Sequence, residues 1–121
     1  MKHILSPEQL RERCARWQNQ LRLNNWRIAV SICRRSSFND SDAQGEVDFG
    51  LSSGKAIIRI LDPVDYPDTP FEQDMEITLV HELLHLCFAP FTPNESTLSH
   101  TFMENTIEML AQTLVEIDRT R

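Results

Sequence analysis

The sequence predicts an α+β fold in which helices pack against a small, mostly antiparallel sheet. Apolar residues recur with helical spacing near the N-terminus and again through the C-terminal half of the chain. Between these regions apolar and polar residues alternate as they do in half-buried strands, and turn-forming residues separate the runs. The predicted order is one helix, three strands and two helices, in a single domain spanning residues 1–121.

Composition argues against several classes of protein. Hydrophobic residues make up 40% of the chain and charged residues 25%, which is ordinary for a globular domain. No apolar run is long enough to cross a bilayer and no signal peptide opens the chain, so we expect a cytoplasmic protein without a membrane partner. With a net charge of −6 and no basic face, the chain is not expected to bind nucleic acid. The oligomeric state stays open, with a monomer as the working expectation.

Three segments carry the same helix-start signature. Ser6-Pro7, Thr69-Pro70 and Thr92-Pro93 each place a hydroxyl residue at a possible N-cap and proline at the first helical position. Glu or Gln follows at the third helical position, which completes a capping box, and an apolar run comes next. We therefore expect helices to begin at residues 7, 70 and 93.

The other boundaries follow from periodicity and from turn residues. The run K-A-I-I-R-I-L is the strongest strand pattern, and Pro90 must end the helix before it because proline cannot continue a helix. The predicted elements are a helix over residues 7–22, strands over 26–33, 44–51 and 55–61, and helices over 70–90 and 93–119, with loops over 34–41 and 62–68.

Residues 81–85 read H-E-L-L-H, and this run says most about function. On a helix His81 and His85 lie one turn apart on the same face, where two imidazoles can bind one metal ion. Glu82 lies beside them, where its carboxylate can take a proton from a water on that metal. The alternative is an ordinary satisfied histidine among surface residues. It does not explain why three ionisable groups interrupt an otherwise apolar helix over residues 77–88.

A catalytic zinc ion takes three protein ligands and keeps one position open, so a third donor is expected elsewhere. The last helix offers His100, Glu104 and Glu108, which are spaced by four along one stripe. A charged stripe is normally a solvated face, but this one continues into apolar residues and is expected to face inward. The continuation is Ala111 and Val115, and the flanking apolar anchors are expected to be Phe102, Ile107, Leu110, Leu114 and Ile117.

The H-E-x-x-H run, followed by Glu104-x-x-x-Glu108 on the next helix, resembles the gluzincin metallopeptidases, the thermolysin-like branch of the zincins. The 19-residue step from His85 to Glu104 fits that family. The resemblance implies a zincin-like fold with Zn²⁺ bound by His81, His85 and Glu104, while Glu108 orients His81. It also implies that the strand over residues 55–61 forms the edge of a substrate cleft. The whole chain is similar to minimal members of that branch and to small metallopeptidases encoded by phages and prophages.

A second zincin family gives a competing assignment. The SprT-like proteases use a third histidine on the following helix, and His100 is the matching residue here. Their usual glycine after that histidine is absent, as is any zinc ribbon, so Glu104 is preferred as the third ligand. Thermolysin-like enzymes also use a histidine or tyrosine to stabilise the oxyanion, for which His100 and Tyr66 are candidates.

The motif and the resemblance together predict a zinc-dependent hydrolase of peptide bonds that acts on a peptide or protein. Zinc lowers the pKa of its water toward about 7, and Glu82 accepts the proton and passes it to the leaving amine. The alternative function is a zinc-binding domain with little or no activity, serving as a regulatory or interaction module, because no oxyanion-stabilising residue is assigned.

Overall fold

The computed structural model describes residues 3–121, and its helices and strands follow one another in the predicted order. Along the chain they are α1 (Pro7–Gln20), β1 (Arg27–Cys33), β2 (Gly45–Gly50), β3 (Lys55–Leu61), α2 (Met75–Phe88) and α3 (Leu98–Arg119). Short 3₁₀ turns lie in the connections at Arg35–Ser37, Pro63–Asp65 and Ala89–Phe91. The α+β class is confirmed. None of the helices within these residues combines the length and apolar character needed to cross a lipid bilayer.

The three-stranded sheet is mixed, so the prediction of a mostly antiparallel sheet is wrong. Its strand order is β1-β3-β2, and β3 pairs parallel with β1 and antiparallel with β2. Residues 34–44 carry the chain across the carboxyl end of β3, from Cys33 beside Leu61 to Gly45 beside Ile60. This crossing puts β2 on the far edge of the sheet instead of next to β1.

The strand order also overturns the prediction that residues 55–61 form the edge of a cleft. Both edges of β3 are hydrogen-bonded, to β1 on one side and to β2 on the other. β3 is the most deeply buried strand, as expected for the central position, with Ala56, Ile58 and Ile60 inside the core. In the described part of the chain the free edges belong to β1 and β2, and β2 packs against α2.

One of the three predicted helix starts is confirmed. The Ser6 hydroxyl accepts a hydrogen bond from the backbone N–H of Gln9 at 3.1 Å, and the Gln9 side chain accepts one from the Ser6 N–H at 2.9 Å. This is the predicted capping box of α1. The helix ends at Gln20, two residues earlier than predicted, and Arg22 then adopts a left-handed φ of 61° that turns the chain away.

The predicted helix start at residue 70 is wrong. α2 begins at Met75, where the Asp74 side chain caps the first turn. Two side-chain hydrogen bonds hold the preceding segment as a loop. The Tyr66 hydroxyl donates to the carbonyl of Phe71 at 2.6 Å, and the buried Gln73 side chain donates to the carbonyl of Leu61 at 2.7 Å. Each bond involves at least one residue outside the 69–72 capping pattern, which is why that pattern was misleading.

The predicted helix start at residue 93 is also wrong. α3 begins at Leu98, and Thr97 is its cap, with the hydroxyl accepting from the backbone N–H of His100 at 3.2 Å. Thr92 has a different role, because its hydroxyl donates to the carbonyl of Phe88 at the end of α2. The Thr92-Pro93 pair therefore closes one helix and does not open the next.

α2 is the central element of the core and packs against α1, α3, β2 and β3. Its buried apolar residues meet a tryptophan from α1 and the inner face of the sheet. The core includes Leu10, Cys14, Trp17, Ala56, Ile58, Ile60, Met75, Leu79, Val80, Leu83, Ile107, Ala111 and Val115. This packing fixes α2, so the side chains on its remaining face are held in fixed positions.

α3 packs on α2 through a narrower face than predicted. Ala111 and Val115 are fully buried, in line with the prediction that the stripe faces inward, and the predicted anchor Ile107 is fully buried as well. Phe102, Leu110 and Ile117 are exposed, so their predicted anchoring role is wrong. At about 100° per residue these three positions lie on the far side of the helix from Glu104, and a helix can bury only one face against a single neighbour.

A buried ionic cluster ties the three helices together at the start of α2. The Glu76 carboxylate, 2% exposed, accepts hydrogen bonds from Arg13 and from the Trp17 indole, each at 2.7 Å. Arg119, near the end of α3, makes two hydrogen bonds to Asp74 at 2.7 and 3.0 Å. The cluster sets how α1 and α3 lie against α2.

Candidate metal centre

α2 presents the two motif histidines on one face. The rings of His81 and His85 have centroids 5.1 Å apart, and both side chains are mostly buried, at 18% exposure. The other faces of the helix are apolar and packed into the core. The imidazoles therefore project from a fixed helix into a cleft between α2, α3 and β2.

α3 brings Glu104 to the same point. Its Oε1 lies 3.1 Å from Nε2 of His85, and its Oε2 lies 3.5 Å from Nε2 of His81. Within residues 3–121 these three side chains form the one group of three or more candidate ligands whose donor atoms all lie within 4.8 Å of one another. Donors bound about 2.1 Å from a tetrahedral ion stand about 3.4 Å apart, so the observed spacing fits a single metal ion.

Glu108 lies one turn further along α3 and contacts the other nitrogen of His81. The Nδ1 of His81 donates to Oε1 of Glu108 at 2.8 Å, and Gln112 donates to Oε2 at 2.7 Å. The contact expected between Glu108 and His81 is therefore present. With Nδ1 engaged in this way, the lone pair of Nε2 is free on the side that faces Glu104.

Burial and carboxylates act differently on the two histidines. Burial lowers the pKa of the His85 imidazole, and this effect outweighs the attraction of Glu104. Burial also lowers the pKa of His81, but the hydrogen bond from His81 to Glu108 and the nearby carboxylates outweigh it, so that this pKa lies above the ordinary value. Because a metal ion binds neutral imidazole, binding at this centre must displace a proton from any His81 that is protonated.

Glu82 is buried and faces the same cleft. It is 6% exposed, and burial raises the pKa of its carboxyl to about 7, with His81 opposing the shift and Glu104 adding to it. Within residues 3–121 its carboxylate makes no hydrogen bond. A cation bound beside it would lower this pKa again. A carboxyl in such a position can accept and release a proton near neutral pH.

Gly45, the first residue of β2, allows the strand to lie directly against α2 at this point. A Cβ atom at position 45 would stand 2.5 Å from Cγ2 of Thr78 and 3.2 Å from Oε2 of Glu82. The first distance is far below van der Waals contact, so only glycine fits unless Thr78 moves. Sequence analysis missed this role, although an isolated glycine inside a strand is a recognised signal of close approach.

The remaining candidates from the sequence lie in different places. His100 lines the cleft one turn before Glu104, with its Nε2 3.9 Å from Oε1 of Glu104. Tyr66 is not part of the cleft lining, and its hydroxyl is engaged by the carbonyl of Phe71. Among the described residues the group that meets the spacing of a metal site contains Glu104 and not His100.

The cleft has a volume of about 730 Å³ and is strongly acidic. No lysine or arginine of residues 3–121 lines it. Glu82, Glu104 and Glu108 are three of the seven carboxylates that line it. The sequence did not predict that the other four would lie at this site. The full set is Asp40, Asp42, Glu46, Glu82, Glu95, Glu104 and Glu108.

Comparison of the chain with protein-family models, with curated proteins and with solved structures gave no match in any of the three.

Proposed function

We propose that this chain is a zinc-dependent peptidase of the gluzincin type, which hydrolyses peptide bonds in a peptide or protein. The observation that carries the proposal is the convergence of His81, His85 and Glu104 in one cleft beside a buried Glu82. Two imidazoles and one carboxylate are a ligand set used by catalytic zinc sites, whereas calcium and magnesium prefer oxygen ligands. The donor set therefore favours zinc over calcium and magnesium.

The protein side chains have distinct parts in the proposed reaction. His81 and His85 bind the ion through Nε2, and Glu104 binds through its carboxylate. When bound, zinc supplies Lewis-acid chemistry, which polarises the substrate carbonyl and acidifies water. Glu108 keeps the His81 ring in the tautomer that leaves Nε2 free to bind.

Glu82 is the proposed general base. Its carboxylate oxygen takes a proton from the attacking water and delivers it to the nitrogen of the leaving amine. Burial supports this role, because a desolvated carboxylate binds a proton more readily than an exposed one. Its position on α2, one residue from His81, holds it at the metal centre without a hydrogen bond to any other described residue.

β2 is the proposed binding edge for the substrate backbone. Glu46 and Val47 of this strand line the cleft, and one edge of β2 has no strand partner in the described chain. An extended peptide can add to such an edge through main-chain hydrogen bonds. β2 takes over the role that sequence analysis gave to residues 55–61.

A second candidate function is a zinc-binding module with little or no peptidase activity. It is favoured by one observation: no tyrosine among the described residues lines the cleft, and the hydroxyl of Tyr66 is engaged elsewhere. His100 is then the remaining candidate from the sequence for an oxyanion donor. The SprT-like alternative gives His100 a different role, that of third ligand.

The test is the cleavage of denatured casein, and of the protein itself, by zinc-loaded wild type and by Glu82→Gln. We expect chelator-sensitive cleavage by the wild type, and a Glu82→Gln variant that retains zinc but does not cleave. Glu72→Gln, at an exposed position outside the cleft, is the matched control and should cleave as the wild type does. Unchanged turnover by Glu82→Gln contradicts the assigned base. Absence of any chelator-sensitive cleavage by the wild type favours the non-catalytic module.

A further inference from the structure

Four carboxylates line the cleft beyond those that serve the metal centre. Asp40 and Asp42 come from the loop before β2, Glu46 from β2 itself, and Glu95 from the connection between α2 and α3. They belong to separate segments of the chain, so the charge is spread over the cleft. No lysine or arginine of the described chain offsets them from within the lining.

These carboxylates do not form a second metal site. The one group in residues 3–121 with suitable spacing is the histidine and glutamate cluster already described. Asp42 and Glu95 are exposed, and neither makes an ion pair with another described residue. Among the described residues, the Asp40 carboxylate accepts a hydrogen bond only from the backbone N–H of Asp42, at 2.9 Å. Glu46 is partly offset by Arg59, at a distance of 3.9 Å.

The nearest arginines act from outside the cleft. Arg35 donates to the backbone carbonyls of Asp40 and Ala43, which anchors the loop that carries the two aspartates. Arg59 makes its shorter contact with Asp48, at 2.6 Å. The Arg35 side chain therefore holds the acidic loop through its backbone carbonyls, and the Asp42 carboxylate makes no hydrogen bond or ion pair with another described residue.

From this arrangement we infer that the cleft selects polypeptide segments carrying lysine or arginine side chains close to the bond that is cut. The inference rests on the proposed peptidase function and adds a substrate class to it. The buried, unpartnered Glu82 carboxylate and the metal-binding group are independent signs that this cleft receives a ligand. A cationic side chain meets complementary charge there, whereas an acidic segment meets repulsion.

Binding, not turnover, gives the sharpest test. The probes are three pools of short fluorescent peptides that differ only in carrying Lys and Arg, Gln, or Glu at the same positions. Zinc-loaded Glu82→Gln protein binds them without cutting, and fluorescence anisotropy measures affinity. We expect the cationic pool to bind roughly tenfold tighter than the Gln pool at low salt, with the preference shrinking as salt is added.

Charge variants locate the preference. Adding Asp42→Asn and Glu95→Gln should reduce this preference by roughly two- to threefold for each carboxylate removed. Glu12→Gln with Glu116→Gln makes the same change in net charge at exposed positions outside the cleft and should leave the preference intact. Equal binding of the three pools, no binding by any pool, or an equal effect of the control pair overturns the inference. The casein assay with the wild-type protein tests the peptidase proposal separately.

Discussion

The Nδ1 of His81 donates a hydrogen bond to Oε1 of Glu108 at 2.8 Å, across the contact between α2 and α3. The same ring directs its Nε2 toward Glu104, at 3.5 Å. Gln112 holds the second oxygen of Glu108 at 2.7 Å. One turn of α3 therefore supplies both a candidate metal ligand and the group that orients another ligand, so the packing of the two helices and the geometry of the centre depend on each other.

Glu108→Ala should weaken zinc binding by about 10–100-fold, because the His81 ring loses the partner that fixes its tautomer and orientation. Competition with a chromogenic chelator measures the affinity. Gln112→Ala removes only a support of Glu108 and should have a smaller effect. If Glu108→Ala binds zinc as tightly as wild type, the hydrogen bond has no orienting role.

Gly45→Ala should destabilise the metal-free protein by about 1–3 kcal/mol, because the new methyl group meets Cγ2 of Thr78 at 2.5 Å. Chemical denaturation followed by circular dichroism measures the loss. Thr78→Ser removes that methyl but keeps the hydroxyl that donates to the Asp74 carbonyl, so the double variant should recover most of the stability. A double variant as unstable as Gly45→Ala would place the strain elsewhere.

Glu76→Ala should lower the free energy of unfolding by about 2–4 kcal/mol, because it leaves the Trp17 indole N–H and the Arg13 guanidinium without their buried partner. Glu72→Ala, at an exposed neighbouring position, is the control and should change stability little. Denaturation curves for both variants give the comparison. Equal stability of the two would mean that the cluster does not hold the helices together.

Asp74 should make the protein sensitive to acid. Burial raises the pKa of its carboxyl, but the hydrogen bonds from Arg119 and from the Ile77 backbone lower it by more, so the pKa in the folded state lies below the ordinary value. The stabilisation is therefore complete above the unfolded pKa of about 3.9 and is lost as the pH falls through the folded value.

Asp74→Asn keeps a helix cap without the charge. It should be less stable than wild type by about 1–2 kcal/mol near neutral pH, with the difference vanishing in acid. A constant difference across that range would contradict the assignment.

The parts of the molecule that depend on local spacing could be predicted from the sequence. His81 and His85 share a helix face because they are four residues apart, and Glu104 and Glu108 share one for the same reason. The strand Lys55–Leu61 was predicted to the residue because its apolar run ends at clear turn residues on both sides.

The parts that depend on distant contacts could not be predicted. The place of β3 between β1 and β2 is set by the crossing of residues 34–44, which leaves no local signature. The segment before α2 is held as a loop by a hydrogen bond from Gln73 to the Leu61 carbonyl, which no local pattern encodes. Asp42 and Glu95 meet at one cleft only because the fold brings their loops together.

The central claim is that His81, His85 and Glu104 together hold one zinc ion. The most direct measurement is the zinc stoichiometry and affinity of wild type, Glu104→Ala and His100→Ala under identical conditions. We predict one zinc per wild-type chain and near-wild-type zinc affinity for His100→Ala. The loss of zinc affinity in Glu104→Ala should exceed the roughly 10–100-fold loss expected for Glu108→Ala. Loss of zinc with His100→Ala and its retention with Glu104→Ala would contradict the account.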